Sequence, residues 1–399
     1  MKVLLAHDYY RSTAPSGEDA VFRNELELLE SNGNEVVLFE RFNDNIDDST
    51  FKKSLGVALE GAWSKTAYRD ITEIIRRTRP DVAHFHNTFP LISPSAYAAC
   101  QDNGVPVVQT LHNYRFICPG ALLMRVGKPC EACVGTSLLP ALRYRCYRGS
   151  LAATGAQVWT IASNRWRGSY RNNVNRYIAL TQFAVKKLTT GGLPGERIEV
   201  KSNFLPNPPF VGIGGGGYAL YAGRLSVEKG IQTLINAWKD IKGLQLKVFG
   251  DGVLRAQLVE QVQRDGSNVE FMGFRPAEDI LAFASRAEMM ISPSECYEGF
   301  PMAVLEAYAC GTPVVASRIG SLDEIVVEGK TGVKFEPGNA IDLVNKVNSL
   351  LSDKAGLIEM RRHARAMFDN NYTAEKNYTQ LMGIYQSAIE DFELHRGGL

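Results

Sequence analysis

Residues 204–217, F-L-P-N-P-P-F-V-G-I-G-G-G-G, hold three prolines and five glycines. Proline has no amide to donate and glycine costs backbone entropy, so this stretch can be neither helix nor central strand. It reads as a domain linker. On both sides of it short β-branched runs alternate with amphipathic stretches, the pattern of parallel sheets covered by helices on both faces. A chain of 399 residues is too long for one ordinary core, whereas two domains of roughly 150 to 200 residues fit.

The predicted strands of the first half are 2–6, 35–39, 82–85, 106–110, 177–180 and 198–201, and those of the second are 218–221, 244–249, 269–272, 288–292, 313–316 and 332–335. A helix predicted over 18–32 buries Ala20, Val21, Leu26, Leu28 and Leu29 and stops at Gly33. A last helix over 373–392 carries Tyr378, Leu381, Met382, Tyr385, Ile389 and Phe392 at helical spacing. The expected organisation is therefore 1–205, 206–372 and a closing helical segment 373–399.

Hydrophobic residues make up 45% of the chain and charged ones 22%, which sets it apart from disordered, collagen-like and coiled-coil compositions. No uncharged apolar run approaches the roughly 18 to 20 residues of a membrane span. In M-K-V-L-L-A-H-D-Y-Y the apolar run is broken by His7 and Asp8, so it reads as a first strand rather than an export signal. Seven cysteines, an odd number, point to a reducing compartment, and the cytoplasm is the expected location.

The second half carries groups suited to a nucleotide diphosphate at the C-terminal ends of its strands, where open α/β sheets bind ligands. In G-R-L-S-V-E-K-G (223–230), Gly223 permits a tight exit from the strand, and Arg224 and Lys229 can neutralise a pyrophosphate, one as a fork and one as a point charge. The other reading of the two cations is a solvated loop pair. In P-S-E-C-Y-E-G-F-P-M-A-V-L-E-A (293–307), Gly299 lets backbone amides approach a phosphate and a helix start follows. Glu306 lies eight positions after Glu298, about two helical turns, so the two carboxylates are expected near one side of one element. They would repel a phosphate, which assigns them to sugar and ribose hydroxyls. The apolar neighbours of Glu306 imply a hydrogen-bonding task for it.

The spacing Glu298-x7-Glu306, with G-R-L-x-x-x-K-G before it and C-G-T-P-V-V-A-S after it, resembles glycosyltransferase family 4, retaining enzymes of the GT-B fold, and within it a bacterial polysaccharide-assembly type. The resemblance implies two Rossmann-like domains facing across a cleft, with the last helix crossing back to the first domain. It implies that Arg224 and Lys229 hold the donor pyrophosphate, Glu306 the ribose and Glu298 the sugar. In the stretch Gly299-Phe300-Pro301, the amides after Gly299 would meet the phosphate or sugar. Phe274 and Arg275, in M-G-F-R-P, would lie against the base, and Gly17 would be where the first domain touches the diphosphate. Gly17 can equally be an ordinary turn glycine. The activity implied is transfer of a hexose-type sugar, from UDP ahead of GDP, to a glycan or lipid-linked saccharide acceptor in cell-surface polysaccharide synthesis. No cofactor is required for the implied front-face mechanism, and no Asp-x-Asp pair or nucleophile with an adjacent base stands out.

His112 follows the apolar strand P-V-V-Q-T-L, and there it could donate a hydrogen bond to the transferring sugar or the leaving phosphate; a satisfied buried histidine is the alternative. In D-V-A-H-F-H-N only one histidine is expected to face the site, with His86 the acceptor-side candidate and His84 the core residue.

Cys118, Cys130, Cys133 and Cys146 follow C-x11-C-x2-C-x12-C. Such a set can close a structural zinc site or remain unlinked reduced thiols. From Arg115 to Lys187 there are twelve lysines and arginines against one acid, Glu131, with Tyr144, Tyr147, Trp159, Trp166 and Tyr170 among them. This predicts a basic face on the first domain, suited to an anionic membrane surface on its inner side or simply solvated. No nucleic-acid module is present. A same-fold epimerase or phosphorylase, and a non-catalytic nucleotide-sugar-binding protein, remain the alternatives to a transferase.

Overall fold

The computed structural model describes residues 1–12, 16–46 and 59–397. It divides into two compact units, one of Met1–Leu123, Glu131–Ser202 and Glu375–Leu399, the other of Met124–Cys130 and Asn203–Ala374.

In chain order the strands up to the break are β1 (Lys2–Tyr9), β2 (Glu35–Phe42), β3 (Val82–Phe85), β4 (Val107–Leu111), a short hairpin of β5 (Met124–Arg125) and β6 (Lys128–Pro129), β7 (Arg176–Ala179) and β8 (Ile198–Val200). Six of them form the parallel sheet of the first unit in the order β2-β1-β3-β4-β7-β8. Its central strands are near-continuous buried runs, as strands covered on both faces must be. From β1 the chain winds outward to β2, then crosses to place β3 on the other side of β1. That reversal opens a crevice at the strands' C-terminal ends.

The helix Gly17–Ser31 starts on a capping box in which Ser16 and Asp19 satisfy each other's backbone amides, and Gly33 follows its end with φ 78°. It buries Val21, Phe22, Glu25, Leu28 and Leu29. Ala20, expected inside, is exposed. Its place on the inward stripe is taken by Phe22 and by an acid, Glu25.

The helix Ala374–Gly397 belongs to the first unit. Its Leu381, Ile384, Tyr385 and Ala388 pack in one core with Val3, Leu5, Phe22 and Ile178. The expected return of the last helix to the first domain is what the fold shows, with Ala388 in the seam and Ile389 only half-buried.

The second unit repeats the plan with β9 (Tyr218–Ala222), β10 (Gln245–Phe249), β11 (Val269–Gly273), β12 (Met289–Ser292), β13 (Val314–Ser317) and β14 (Gly332–Phe335), ordered β11-β10-β9-β12-β13-β14. All its pairings are parallel, and β12 lies beside β9, so its switch point falls between those two strands. The glycine-rich stretch before β9 is packed against the unit it introduces. A Cβ at Gly212 would stand 2.0 Å from the Ser285 carbonyl oxygen and one at Gly216 2.6 Å from that of Arg286. Among the described residues no helix is long and apolar enough to cross a membrane.

Candidate functional site

The loops leaving β9 and β12 meet at the switch point of the second unit and are stitched by their backbones. The Glu295 amide donates to the Glu228 carbonyl at 2.9 Å, and Thr233 Oγ1 donates to Glu295 Oε1 at 2.6 Å. Gly230, at φ +64°, lies so close to the neighbouring loop that a Cβ would stand 1.8 Å from the Pro293 carbonyl oxygen. A second close approach runs along the strand ends. The Gly223 amide donates to Phe249 O at 3.0 Å, the Gly250 amide to Gly273 O at 2.8 Å, and a Cβ at Gly250 would stand 2.0 Å from Gly223 O. Bare backbone therefore lines the edge where β9, β10 and β11 end.

Lys229 and Glu298 are brought together on this base. Lys229 Nζ donates to Glu298 Oε1 at 2.7 Å and to Oε2 at 2.9 Å, and Ser294 Oγ donates to Oε1 at 2.5 Å. Burial works against ionisation of Glu298, but the Lys229 ammonium and these hydrogen bonds outweigh it and hold the carboxyl below its ordinary value. Burial likewise opposes the charge on Lys229, and Glu298 overrides it in the other direction. An ammonium has three donors, so one remains for a phosphate oxygen. Arg224 is exposed beside them, its carbonyl held by the Tyr221 hydroxyl at 2.8 Å. The helix Met302–Ala309 begins at Pro301 with no side-chain cap, which leaves its first amides as an anion site.

Glu298 and Glu306 are not on one element, as their spacing suggested. Glu298 precedes the helix and is fixed in the loop by Lys229, Ser294 and the Ser321 hydroxyl, which donates to the Glu298 carbonyl at 2.8 Å. Glu306 is buried within the helix, and burial alone pushes it up to about 7. A carboxyl in that condition is poised to gain from incoming hydroxyl donors. The Phe300 ring is buried against Tyr372, with centroids 5.3 Å apart, so only its backbone can serve a ligand. Phe274 is 73% exposed next to Gly273, and Arg275 Nε donates back to Met272 O at 3.3 Å.

The first unit holds a separate polar cluster. Glu25 accepts from His86 Nε2 at 2.9 Å and pairs with Lys201 Nζ at 2.8 Å, while His84 Nδ1 lies 2.9 Å from the same Oε1. Lys201 also reaches Asn377 Oδ1 at 3.0 Å, and His84 reaches the Tyr385 hydroxyl at 2.8 Å and Thr110 Oγ1 at 2.8 Å. His84 and His86 thus share one side of their strand and one carboxylate, where only one was expected to face the site; residues two apart on a strand point the same way. Glu25, His84 and His86 are spaced to hold a metal ion, but the Lys201 ammonium already supplies the positive charge.

His112 Nε2 lies 3.0 Å from His86 Nδ1, with the rings stacked at 5.1 Å. Burial opposes ionisation of Glu25, yet Lys201 and the two histidines hold it well below its usual range. Burial drives His86 down to about 4, and burial with the neighbouring histidines drives His112 well below its ordinary value. The proton order follows. With Glu25 ionised and His86 neutral, His86 Nε2–H donates to Glu25 Oε1, the bare His86 Nδ1 is free to accept from His112 Nε2–H, and that tautomer leaves His112 Nδ1 as an acceptor. His112 lines a small cavity with Glu18, Asn113 and Arg115. Gly17 opens its helix, but the first turn there carries Glu18 and Asp19, which disfavours an anion.

Cys133 and Cys146 pack in one small cluster with Leu138, Ala141 and Ile161. Cys118 and Cys146 flank Gly120, where a Cβ would stand 3.8 Å from Cys118 Sγ and 3.7 Å from Cys146 Cβ. Cys130 follows the hairpin strand β6 and is half-buried.

Sequence reasoning missed Glu25, Lys201, Ser294, Gly230 and Gly250. One signal was present for Glu25: an acid on the inward stripe of a helix otherwise lined by Val21, Phe22, Leu28 and Leu29.

A family model for glycosyl transferases group 1 matches residues 211–368, and one for glycosyltransferase family 4 matches 17–206. The glycogen synthase of Mycobacterium tuberculosis is 33% identical over 175 residues, 42% of this chain and 42% of that protein. The chain matches less than half the length of each of the first relatives. The alpha-D-kanosaminyltransferase of Streptomyces kanamyceticus is 25% identical over 341 residues, 82% of this chain and 83% of that protein. Among solved structures, Anabaena HepE in complex with UDP has a TM-score of 0.68 at 19% identity, covering 97% of this chain and 100% of that one. With one of these family models matching on each side of the linker and the GT-B architecture in both sheets, the chain is a GT4-like glycosyltransferase of the GT-B fold.

Proposed function

We propose that the protein is a retaining glycosyltransferase that moves a hexose-type sugar from a nucleoside diphosphate sugar, UDP ahead of GDP, to a glycan or lipid-linked saccharide. It serves cell-surface polysaccharide synthesis at the inner face of the membrane. The observation that carries the reading is the Lys229–Glu298 pair at the switch point of the second sheet, beside exposed Arg224 and an uncapped helix start. Two cations and one carboxylate give the site a single net positive charge, and the helix start adds to it where a diphosphate needs it.

In this reading the acceptor oxygen attacks the anomeric carbon from the face the diphosphate leaves. The bond from that carbon to the phosphate oxygen breaks with its electron pair going to the phosphate, which takes the acceptor proton. Arg224, the third Lys229 donor and the helix amides stabilise the developing charge. Glu298 holds sugar hydroxyls, Glu306 the ribose hydroxyls, and the Gly273–Phe274–Arg275 turn the base. Cys118, Cys130, Cys133 and Cys146 would hold a structural zinc, as thiolates favour; metal analysis of the purified protein with less than stoichiometric zinc would remove it.

The test is incubation with UDP- and GDP-sugars and a lipid-linked saccharide extract, with the product's anomeric configuration read by NMR. An elongated glycan with the donor's configuration is expected. Inversion would overturn the mechanism, and free sugar phosphate or an epimerised donor would replace the transferase reading.

A further inference from the structure

The helix Leu151–Trp166 is inside out. Its buried face consists of Thr154, Gln157, Thr160, Ser163 and Asn164, with Ile161 the apolar exception. Several of those polar groups are engaged: Asn164 Nδ2 donates to Ala62 O at 2.9 Å and Thr154 Oγ1 to Ser150 O at 2.7 Å, while Asn164 Oδ1 is buried without a partner among the described residues. The outward face carries Leu151, Trp159 and Trp166, which are 55%, 54% and 86% exposed. No charged residue occurs from 151 to 164. A helix at a protein surface ordinarily shows the opposite arrangement.

The surroundings continue the theme. On the short helix before it, Leu139–Tyr144, Leu139 is 68% and Tyr144 46% exposed. Arg143 on that helix, Arg145 and Arg148 between the two helices, and Arg167 and Arg171 just beyond Trp166 are all exposed. The single acid of residues 115–187, Glu131, pairs with Lys187 at 2.7 Å, so it does not offset these arginines. Tyr170, grouped with these aromatics by sequence, is buried.

We infer that this helix face docks on an anionic lipid bilayer, with Leu151, Trp159 and Trp166 entering the headgroup boundary and the flanking arginines meeting the lipid phosphates. Trp159 and Trp166 are seven residues apart, two turns and about 10 Å along one face, a spacing that sets both indoles at one depth in an interface-parallel helix. Indole rings favour that level, and guanidinium groups favour anionic headgroups. An apolar stripe flanked along the chain by arginines matches such a surface by charge. The inference rests on the membrane location proposed above but not on sugar transfer.

The full chain is floated with vesicles of phosphatidylcholine alone and of phosphatidylcholine mixed with phosphatidylglycerol. Flotation with the mixed vesicles only, weakened by salt and accompanied by a blue shift of tryptophan emission, is expected. The double variant Trp159→Ser, Trp166→Ser is expected to lose at least about tenfold in vesicle partition, as is Arg143→Glu, Arg148→Glu. Both should keep the wild-type melting temperature and the same turnover on a soluble acceptor, since they change exposed side chains. Flotation that is absent, indifferent to lipid charge or unchanged in both variants would overturn the inference. So would light scattering showing a dimer that the double serine variant dissociates, because the face would then bind a second copy. Turnover does not enter the flotation assay, so its failure leaves the transferase reading standing.

Discussion

Lys229 grips both carboxylate oxygens of Glu298, at 2.7 and 2.9 Å, across 69 residues of sequence. The pair fixes the ammonium where only one of its protons is left to spend on a ligand. Replacing Lys229 by Ala should lower kcat/KM for the donor by about 10²- to 10³-fold. Lys229→Arg should recover little of it, because the longer, planar guanidinium cannot take the place of a compact ammonium in this half-buried pair. Steady-state transfer rates at saturating acceptor decide this, and near-wild-type activity in Lys229→Ala would remove the cation from the mechanism.

Glu306 offers a stability test with a definite sign. Its folded value is raised to about 7 by burial, above the unfolded carboxyl near 4.3, so the folded state binds the extra proton between those values. Stability from this group is therefore full at low pH and is lost as pH rises toward 7, a cost on the order of 3 kcal/mol. Glu306→Gln should melt higher than wild type at pH 8 and nearly level with it at pH 4.5, while its donor KM rises about tenfold. A variant that melts higher without weakening donor binding would reduce Glu306 to a packing residue.

Glu25 and Lys201 form a buried ion pair at 2.8 Å. Glu25→Ala leaves the ammonium without its partner and should destabilise the chain by about 3–5 kcal/mol, read by urea unfolding. The histidines give the pH dependence. His86 is depressed to about 4 in the folded state, so its contribution is complete above the unfolded value near 6.5 and is lost as pH falls through about 4. Nitrogen-15 spectra of the wild type should show neutral His112 protonated on Nε2 from pH 6 to 8, and a proton on Nδ1 instead would break the deduced proton order.

Gly230→Ala should be among the costliest single substitutions, because the added carbon meets the Pro293 carbonyl at 1.8 Å in a left-handed backbone. Strain and overpacking together amount to about 3 kcal/mol or more. Gly266→Ala, also left-handed at φ +62° but with open space around it, should cost about 1 kcal/mol. Equal melting temperatures for the two would show that the loops part easily.

The strands were legible because β4 and β13 open on paired valines in short β-branched runs, and the Lys229–Glu298 meeting because both motifs follow strand ends. What the sequence hid lies in contacts between distant segments. Nothing local distinguishes Gly250, which is needed for a carbonyl 27 positions upstream, or Lys201, whose partner is 176 residues away. Phe300 was expected to serve through backbone after Gly299, and its ring, turned inward to Tyr372, leaves that expectation standing. Glu298 looked helical because its spacing to Glu306 suits two turns, whereas Pro301 sets the helix start after it.

Because Leu381, Ile384, Tyr385 and Ala388 complete the core begun by Val3 and Leu5, the first unit cannot close while the ribosome is still making the second. Its earliest strands wait for nearly the whole length of synthesis with an apolar face uncovered and Glu25 and Lys201 lacking Asn377 alongside. Nascent chains stalled before residue 374 should therefore be the form that chaperones hold and proteases cut, and release of the last helix the event that ends that exposure.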